Sequence, residues 1–376
     1  MHTQTIKRFI FLAAASLCVV CTAHAAPLPD PVVQHLASAL DAARAQAGLP
    51  AVSAALITGD NGTWQGAAGC ADIKNRQPVD TETLFSLGSI TKTFVAALTL
   101  ILHEQGALSL DDTVGQWLSD LPPNAARNIN PSITIRRLMN HTSGIANYTE
   151  RMLPWLALAV NAERHWSHSE VMRLIGPPAF APGEGWRYSN SNYYILGMIL
   201  EAAANAAAAD ALHAAVLDPL ELRSTFLDAA EAVPYPIAHG YQYVFGRDVL
   251  DPLSVHRTGT YSLAWTAGAL VSRPLDTARF LHELFAGNVL SPDALDEMLD
   301  TVPTDTASVE YGLGIMKIET TQYGTIWMHG GLINGYSATM WRVPAEGLSL
   351  AVTANRSSAD VDSIAAALLD AFRAAR

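Results

Sequence analysis

The chain has 376 residues, half of them hydrophobic and only 15% charged, with a formal net charge of -12 at pH 7. That length and composition support a sizeable core within one large two-lobed unit, which excludes wholesale disorder. The acidic balance, with no basic run to override it, excludes nucleic acid or an anionic membrane surface as a main partner, because phosphate binding needs basic patches.

Residues 1–25 read as an address. Lys7 and Arg8 form a positive n-region, Phe9 to Val20 is an apolar run, and Ala23-His24-Ala25 supplies the small residues of a cleavage site. This is the pattern of a signal peptide, so the mature protein is expected to be exported, periplasmic or secreted. The run falls short of the roughly 20 residues a bilayer span needs, so no stable membrane anchor is expected. Neither Cys18 nor Cys21 follows the small residue of a lipoprotein signal. Both leave with the leader, and Cys70 alone cannot form an intrachain disulfide. With no base beside it in sequence, Cys70 reads as a buried, inert thiol rather than a nucleophile.

Asp30 is placed to cap a helix whose Val33, Leu36, Leu40 and Ala43 fall at helical spacing, with Gly48 ending it. Ala51 to Thr58 then reads as a strand, Gly59-Asp60-Asn61-Gly62 as a hairpin turn and Thr63 to Gly69 as the return strand. Leu84 to Gly88 is an apolar approach to a long helix from Ile90 to Gln105, closed by Gly106. Helical patterns follow over Ile135 to Met139, Tyr193 to Ala208 and Leu275 to Phe285, with breaks at Pro122-Pro123, Pro177-Pro178 and Pro182-Gly183. The alanine-rich stretch Glu201 to Ala215 also reads as helix, since alanine is the best helix former. Strands return over Tyr311 to Ile318, Thr325 to His329, Tyr336 to Val343 and Leu348 to Ala354, with Ala345-Glu346-Gly347 as a turn. A last helix runs from Asp360 to Ala374. The expected fold is therefore α+β: one antiparallel sheet built from both chain ends, flanked by helices, with an inserted helical lobe. The sheet lobe falls at about 26–88 and 306–376 and the helical lobe at about 89–305, with a site expected at their junction.

Ser89-Ile90-Thr91-Lys92 carries the strongest chemical signal. On a helix the two side chains share a face and can meet. A serine hydroxyl needs a neighbour to take its proton, and a lysine can do so if desolvation lowers its pKa. The apolar neighbours Phe85, Leu87, Ile90, Phe94 and Val95 suit that. Tyr188-Ser189-Asn190 follows about 100 residues later. A tyrosine whose pKa is lowered by nearby cations could share proton transfer, and Asn190 could hydrogen-bond a substrate amide. His329-Gly330-Gly331 ends a strand, where the glycines admit close backbone approach and a following N–H could complete an oxyanion hole. Read singly, these are a capping serine, a turn and a glycine corner with a surface histidine; their order and spacing together argue otherwise.

With these three motifs in this order, the sequence resembles the serine β-lactamase and penicillin-binding DD-peptidase superfamily, in particular its class C β-lactamase and DD-carboxypeptidase branch. Leu138-Met139-Asn140-His141-Thr142-Ser143-Gly144, Ala267-Gly268-Ala269-Leu270-Val271-Ser272 and Tyr311-Gly312-Leu313-Gly314 extend the resemblance over nearly the whole mature chain. It implies a β-lactamase/transpeptidase-like fold and a hydrolase working through an acyl-enzyme on Ser89, with Lys92 and Tyr188 as proton-transfer partners. It implies Asn190, His329, Gly331 and Leu332 as substrate-binding positions, and an oxyanion hole from the N–H groups of Ser89 and Leu332. It implies no cofactor or metal, and a small-molecule or peptide partner such as a cell-wall peptide or a β-lactam. His141 is expected to be structural. His329 stands where β-lactamases carry lysine, and Met316 takes the position of the arginine with which carboxypeptidase-like members bind a terminal carboxylate. Lys317 beside it should point to the other face. These departures favour an esterase or an amidase for substrates without a free carboxylate, with a protonated His329 as partial compensation. The expected activity is DD-carboxypeptidase-like or esterase-like, the two standing about level; a class C-like β-lactamase and a non-catalytic penicillin-binding or sensor protein are the alternatives. A metalloenzyme lacks support, since His103, His141, His239, His256 and His329 are scattered.

Overall fold

The computed structural model describes residues 28–376, and the leader expected at 1–25 lies outside them. Helix α1 (Asp30–Ala47) opens behind Pro29, whose ring presets the entry, so Asp30 sits in the first turn rather than capping it. Gly48 ends it in the left-handed conformation (φ 60°). Val32, Leu36 and Leu40 form its buried face.

Nine strands form the main sheet: β1 (Ala51–Ile57), β2 (Thr63–Asp72), β3 (Gln77–Pro78), β4 (Val302–Pro303), β5 (Val309–Tyr311), β6 (Met316–Thr320), β7 (Gly324–Ile333), β8 (Tyr336–Val343) and β9 (Leu348–Ala354). Their order is β3-β2-β1-β9-β8-β7-β6-β5-β4, antiparallel throughout. The two chain ends meet where β1 pairs with β9, Val52 opposite Ala354 and Ile57 opposite Ser349. β1 is buried along its whole length because its two faces feed two cores. Val52, Ala54 and Leu56 join the layer of α1 and the last helix (Val361–Ala374), and Ala55 and Ile57 join the core around Phe280 and Leu281. Each fully buried aliphatic side chain there contributes about 1.5–3 kcal/mol.

Helix α2 (Thr91–Glu104) runs through the centre of the second core, buried on every side from Thr91 to Leu100 although that stretch carries Lys92 and three threonines. Helix α3 (Asn190–Ala204) packs against it, and α4 (Pro274–Phe285) lies on the sheet although it falls within the inserted stretch. A small sheet of Phe85–Ser86, Leu270–Ser272 and Phe226–Leu227 holds the approach to α2.

Further sequence expectations are corrected. Tyr311 to Ile318 is a hairpin, β5 and β6, because Gly312 backs onto the Met298 carbonyl and Gly314 turns at φ 79°. The alanine-rich helix breaks at Asn205 (φ 50°) and resumes as Ala208–Leu212 and a π turn, His213–Leu217. β2 extends past Gly69 to Asp72, and Cys70 on it is half-buried rather than buried. The outermost strand already starts at Val302, before the boundary expected at 306.

Candidate active site

Ser89 sits in a single 3-10 turn, Gly88–Ile90, at the mouth of α2. The turn is pinned on one side by Leu87 N–H donating to the Leu270 carbonyl (2.8 Å). Its other side meets the edge of β7 beyond Met328, where β6 no longer pairs. Two glycines make that contact possible. A Cβ on Gly88 (φ 52°) would lie 2.7 Å from the Leu332 nitrogen, and one on Gly331 would lie 1.8 Å from the Leu87 carbonyl oxygen. Gly330, by contrast, has open space around it. Ser89 N–H donates to no acceptor among the described residues, and it stands with Leu332 at one cleft wall. The positive end of α2 adds to the potential there.

Lys92, one turn on, is fully buried. Its Nζ lies 3.0 Å from Ser89 Oγ, 2.8 Å from Asn190 Oδ1 and 2.6 Å from the Ala267 carbonyl oxygen. No carboxylate pairs with it among the described residues, and burial holds its pKa well below the usual lysine value. In its deprotonated, base form the amine has two N–H bonds and one lone pair. The Ala267 carbonyl can only accept, and Asn190 Oδ1 is fixed as an acceptor because Nδ2 donates to Thr149 Oγ1 (3.0 Å). In that form the two N–H bonds are taken and the lone pair is left for the Ser89 O–H, whereas the ammonium donates to Ser89 Oγ.

Tyr188 closes another side, its ring centroid 4.8 Å from Lys92 Nζ. Its hydroxyl is buried without a hydrogen-bond partner among the described residues, and burial pushes the phenol well above its ordinary pKa. The expected lowering by cations is overturned: burial of the hydroxyl outweighs any field from the lysine, and the phenol stays protonated. His329 is likewise buried, not a surface residue, and its pKa is pulled down to about 3 by burial and by Lys92. Nδ1–H donates to the Gly330 carbonyl (2.7 Å), leaving Nε2 to accept from the Tyr311 hydroxyl (3.0 Å). A neutral imidazole cannot stand in for a cation, so the expected compensation fails. His141 lies behind the site. Its Nδ1 accepts from Ser189 N–H (3.2 Å) and Asn192 Nδ2 (3.1 Å), and its ring lies 4.3 Å from that of Tyr188.

Met316 packs into the core under the terminal helices, and Lys317 pairs with Glu310 and Glu319 on the other face, so neither reaches the cleft. The cleft, about 310 Å³, is lined by Ser89, Asn190, Tyr148, Trp155, Leu263, Leu332 and smaller neutral residues. None of its lining residues is charged. Sequence reasoning brings Ser89, Lys92, Tyr188, Asn190, His329, Gly331 and Leu332 to one place, and they are there. It missed Thr149 and Asn147, which brace Asn190, the Ala267 carbonyl, and Trp155. The turn-forming Asn147-Tyr148-Thr149 was the only available signal. No group of three His, Cys, Asp or Glu side chains able to hold a metal occurs among the described residues.

A serine in contact with a buried lysine at the head of a buried helix, beside a sheet edge, defines the class: a serine hydrolase on the β-lactamase/transpeptidase-like fold. The chain belongs to the Beta-lactamase family, whose model matches residues 36–375. It is similar in structure to a D-stereospecific amidohydrolase from a Streptomyces species (TM-score 0.75, 31% identity), covering 90% of this chain and 98% of that one. It is 27% identical over 287 residues to a penicillin-binding protein of Bacillus subtilis (strain 168), which is 73% of this chain and 61% of that protein. It is 34% identical over 183 residues to esterase EstB of Burkholderia gladioli, 46% of each chain. The matches thus span between about half and 61% of the length of these two relatives.

Proposed function

We propose that the protein is an exported serine acyl-hydrolase that cleaves an ester, or an amide, whose recognised part carries no charge. The observation that carries the reading is the buried Lys92 amine, held by Asn190 Oδ1 and the Ala267 carbonyl at 3.0 Å from Ser89 Oγ. Ser89 Oγ attacks the substrate carbonyl carbon while its proton passes to Lys92 Nζ. The carbonyl oxygen becomes an oxyanion facing the N–H groups of Ser89 and Leu332. The bond to the leaving oxygen or nitrogen breaks, and the leaving group takes the proton from Lys92, directly or through the protonated Tyr188 hydroxyl. Water then attacks the acyl-enzyme, gives one proton back along the same path to Ser89 Oγ, and releases the acid. Export rests on the n-region, apolar run and small-residue site of residues 1–25.

The uncharged cleft favours this over a DD-carboxypeptidase, whose substrate ends in a carboxylate that would lose its hydration without gaining a partner. The neutral His329 disfavours a class C-like β-lactamase in the same way, and an intact Ser89–Lys92–Tyr188 set disfavours a sensor. The test compares the mature protein with Ser89→Ala on p-nitrophenyl acetate and on a peptide ending in D-Ala-D-Ala. Ester cleavage that vanishes with Ser89, without D-alanine release, is expected. Full ester activity in Ser89→Ala removes Ser89 as nucleophile, and Ser89-dependent D-alanine release makes the protein a carboxypeptidase.

A further inference from the structure

Resting on that acyl-hydrolase reading, we propose that the exposed apolar stripe of the helix Met152–Val160 is the outer part of the acyl site and holds the aliphatic chain of a medium- to long-chain acyl donor. The helix reads Met-Leu-Pro-Trp-Leu-Ala-Leu-Ala-Val, without one polar side chain. Pro154 and Leu158 face the protein. Met152, Trp155, Leu156 and Ala159 recur at i, i+3, i+4 and i+7, which puts them on one face, and all four are exposed. Met152 is 72% and Leu156 55% exposed. A single exposed leucine needs no explanation, whereas a contiguous stripe marks a binding surface.

What occupies it follows from where it leads. Trp155 belongs both to the stripe and to the cleft that holds Ser89. Its indole N–H donates to the Thr149 carbonyl (2.7 Å), and the Thr149 hydroxyl accepts from Asn190, the partner of Lys92. The ring is therefore fixed by the segment that braces the catalytic lysine. Leu332 and Ile333 from β7 line the same cleft, and Leu332 is exposed at its rim. A charged acyl group meets no counter-ion in this wall, while each methylene laid against it leaves water favourably. The stripe thus continues the cleft outward through Trp155, and there the acyl chain is placed.

The test is a chain-length series of p-nitrophenyl acetate, hexanoate and decanoate, each below its aggregation concentration. It is run on the mature protein and on the double variant Met152→Ser/Leu156→Ser. In the unmodified protein kcat/KM rises at least about tenfold from acetate to decanoate. In the variant the decanoate-to-acetate ratio falls by at least about fivefold, as expected for two lost apolar contacts. A flat or falling series in the unmodified protein overturns the proposal, whatever the variant does. So does a ratio the substitutions leave unchanged. If that unchanged ratio comes with loss of a dimer in sedimentation velocity, or with loss of binding to phosphatidylcholine vesicles, the stripe belongs to a second copy or to a lipid surface instead. Failure of every ester to turn over through Ser89 removes the acyl-hydrolase reading and this proposal together, whereas a flat series with Ser89-dependent acetate cleavage removes this proposal alone.

Discussion

The floor of the cleft and its mouth are built on opposite terms. At the floor, Lys92 is fully buried and every polar direction of its amine is assigned, to Asn190, to Ala267 and to Ser89. At the mouth, Trp155 and Leu332 present exposed apolar surface, and no charge fixes a ligand's orientation. The difference teaches that the reacting bond is held by directed polar contacts, while the choice of substrate is left to apolar fit. Directed contacts fail when one partner moves; apolar fit degrades by degrees.

The sharpest way to break the contrast is at the floor. Lys92→Ala leaves the Ser89 hydroxyl without an acceptor for its proton, and the acylation rate, read as a pre-steady-state burst, should fall by several orders of magnitude. The next effect tests the sheet edge. Gly331→Ala forces a methyl onto the Leu87 carbonyl and should lower kcat by about a hundredfold with a loss of thermal stability, while Gly330→Ala, in open space, should change both little. The smallest effect sharpens the electrostatics. Asn190→Asp puts a carboxylate at the 2.8 Å contact with Lys92 Nζ, which favours the ammonium and raises the lysine pKa. The base must be deprotonated, so the rising limb of the pH–kcat/KM profile should move to higher pH. At a fixed pH on that limb, activity should drop about tenfold for each pH unit the limb moves. A limb that stays in place would show that Lys92 is not the group titrating.

The main elements were legible because their signals are local. β8 (Tyr336–Val343) and β9 (Leu348–Ala354) occupy the very residues their alternating pattern indicates, and α2 and the last helix differ by a residue or so at their ends. Motif residues such as Ser89 and Lys92 were legible for the same reason, since one helical turn joins them. The charge states of Tyr188 and His329 were not. Both depend on burial by residues far away in sequence, which raises the phenol and lowers the imidazole whatever the motif alone suggests. The Ala267 carbonyl was equally hidden, because a backbone oxygen has no side-chain signature and reaches Lys92 only through the fold. The hairpin at Gly312–Gly314 reads as continuous strand in the sequence because its turn depends on the Met298 carbonyl behind Gly312, a contact between distant segments.

The pairing of β1 with β9 has a consequence for how the molecule comes into being. Val52 meets Ala354, and the Ala51 N–H donates to the Asn355 side chain (2.7 Å) across a separation of 304 residues. β1, which belongs to the middle of the sheet, therefore has its β9-facing edge unsatisfied until almost the whole chain has been made. Contacts this distant close late and slowly, because the intervening loop must be ordered before they are rewarded. During synthesis the N-terminal hairpin has no finished sheet to join. The main sheet is complete only when the last strand arrives to close the seam.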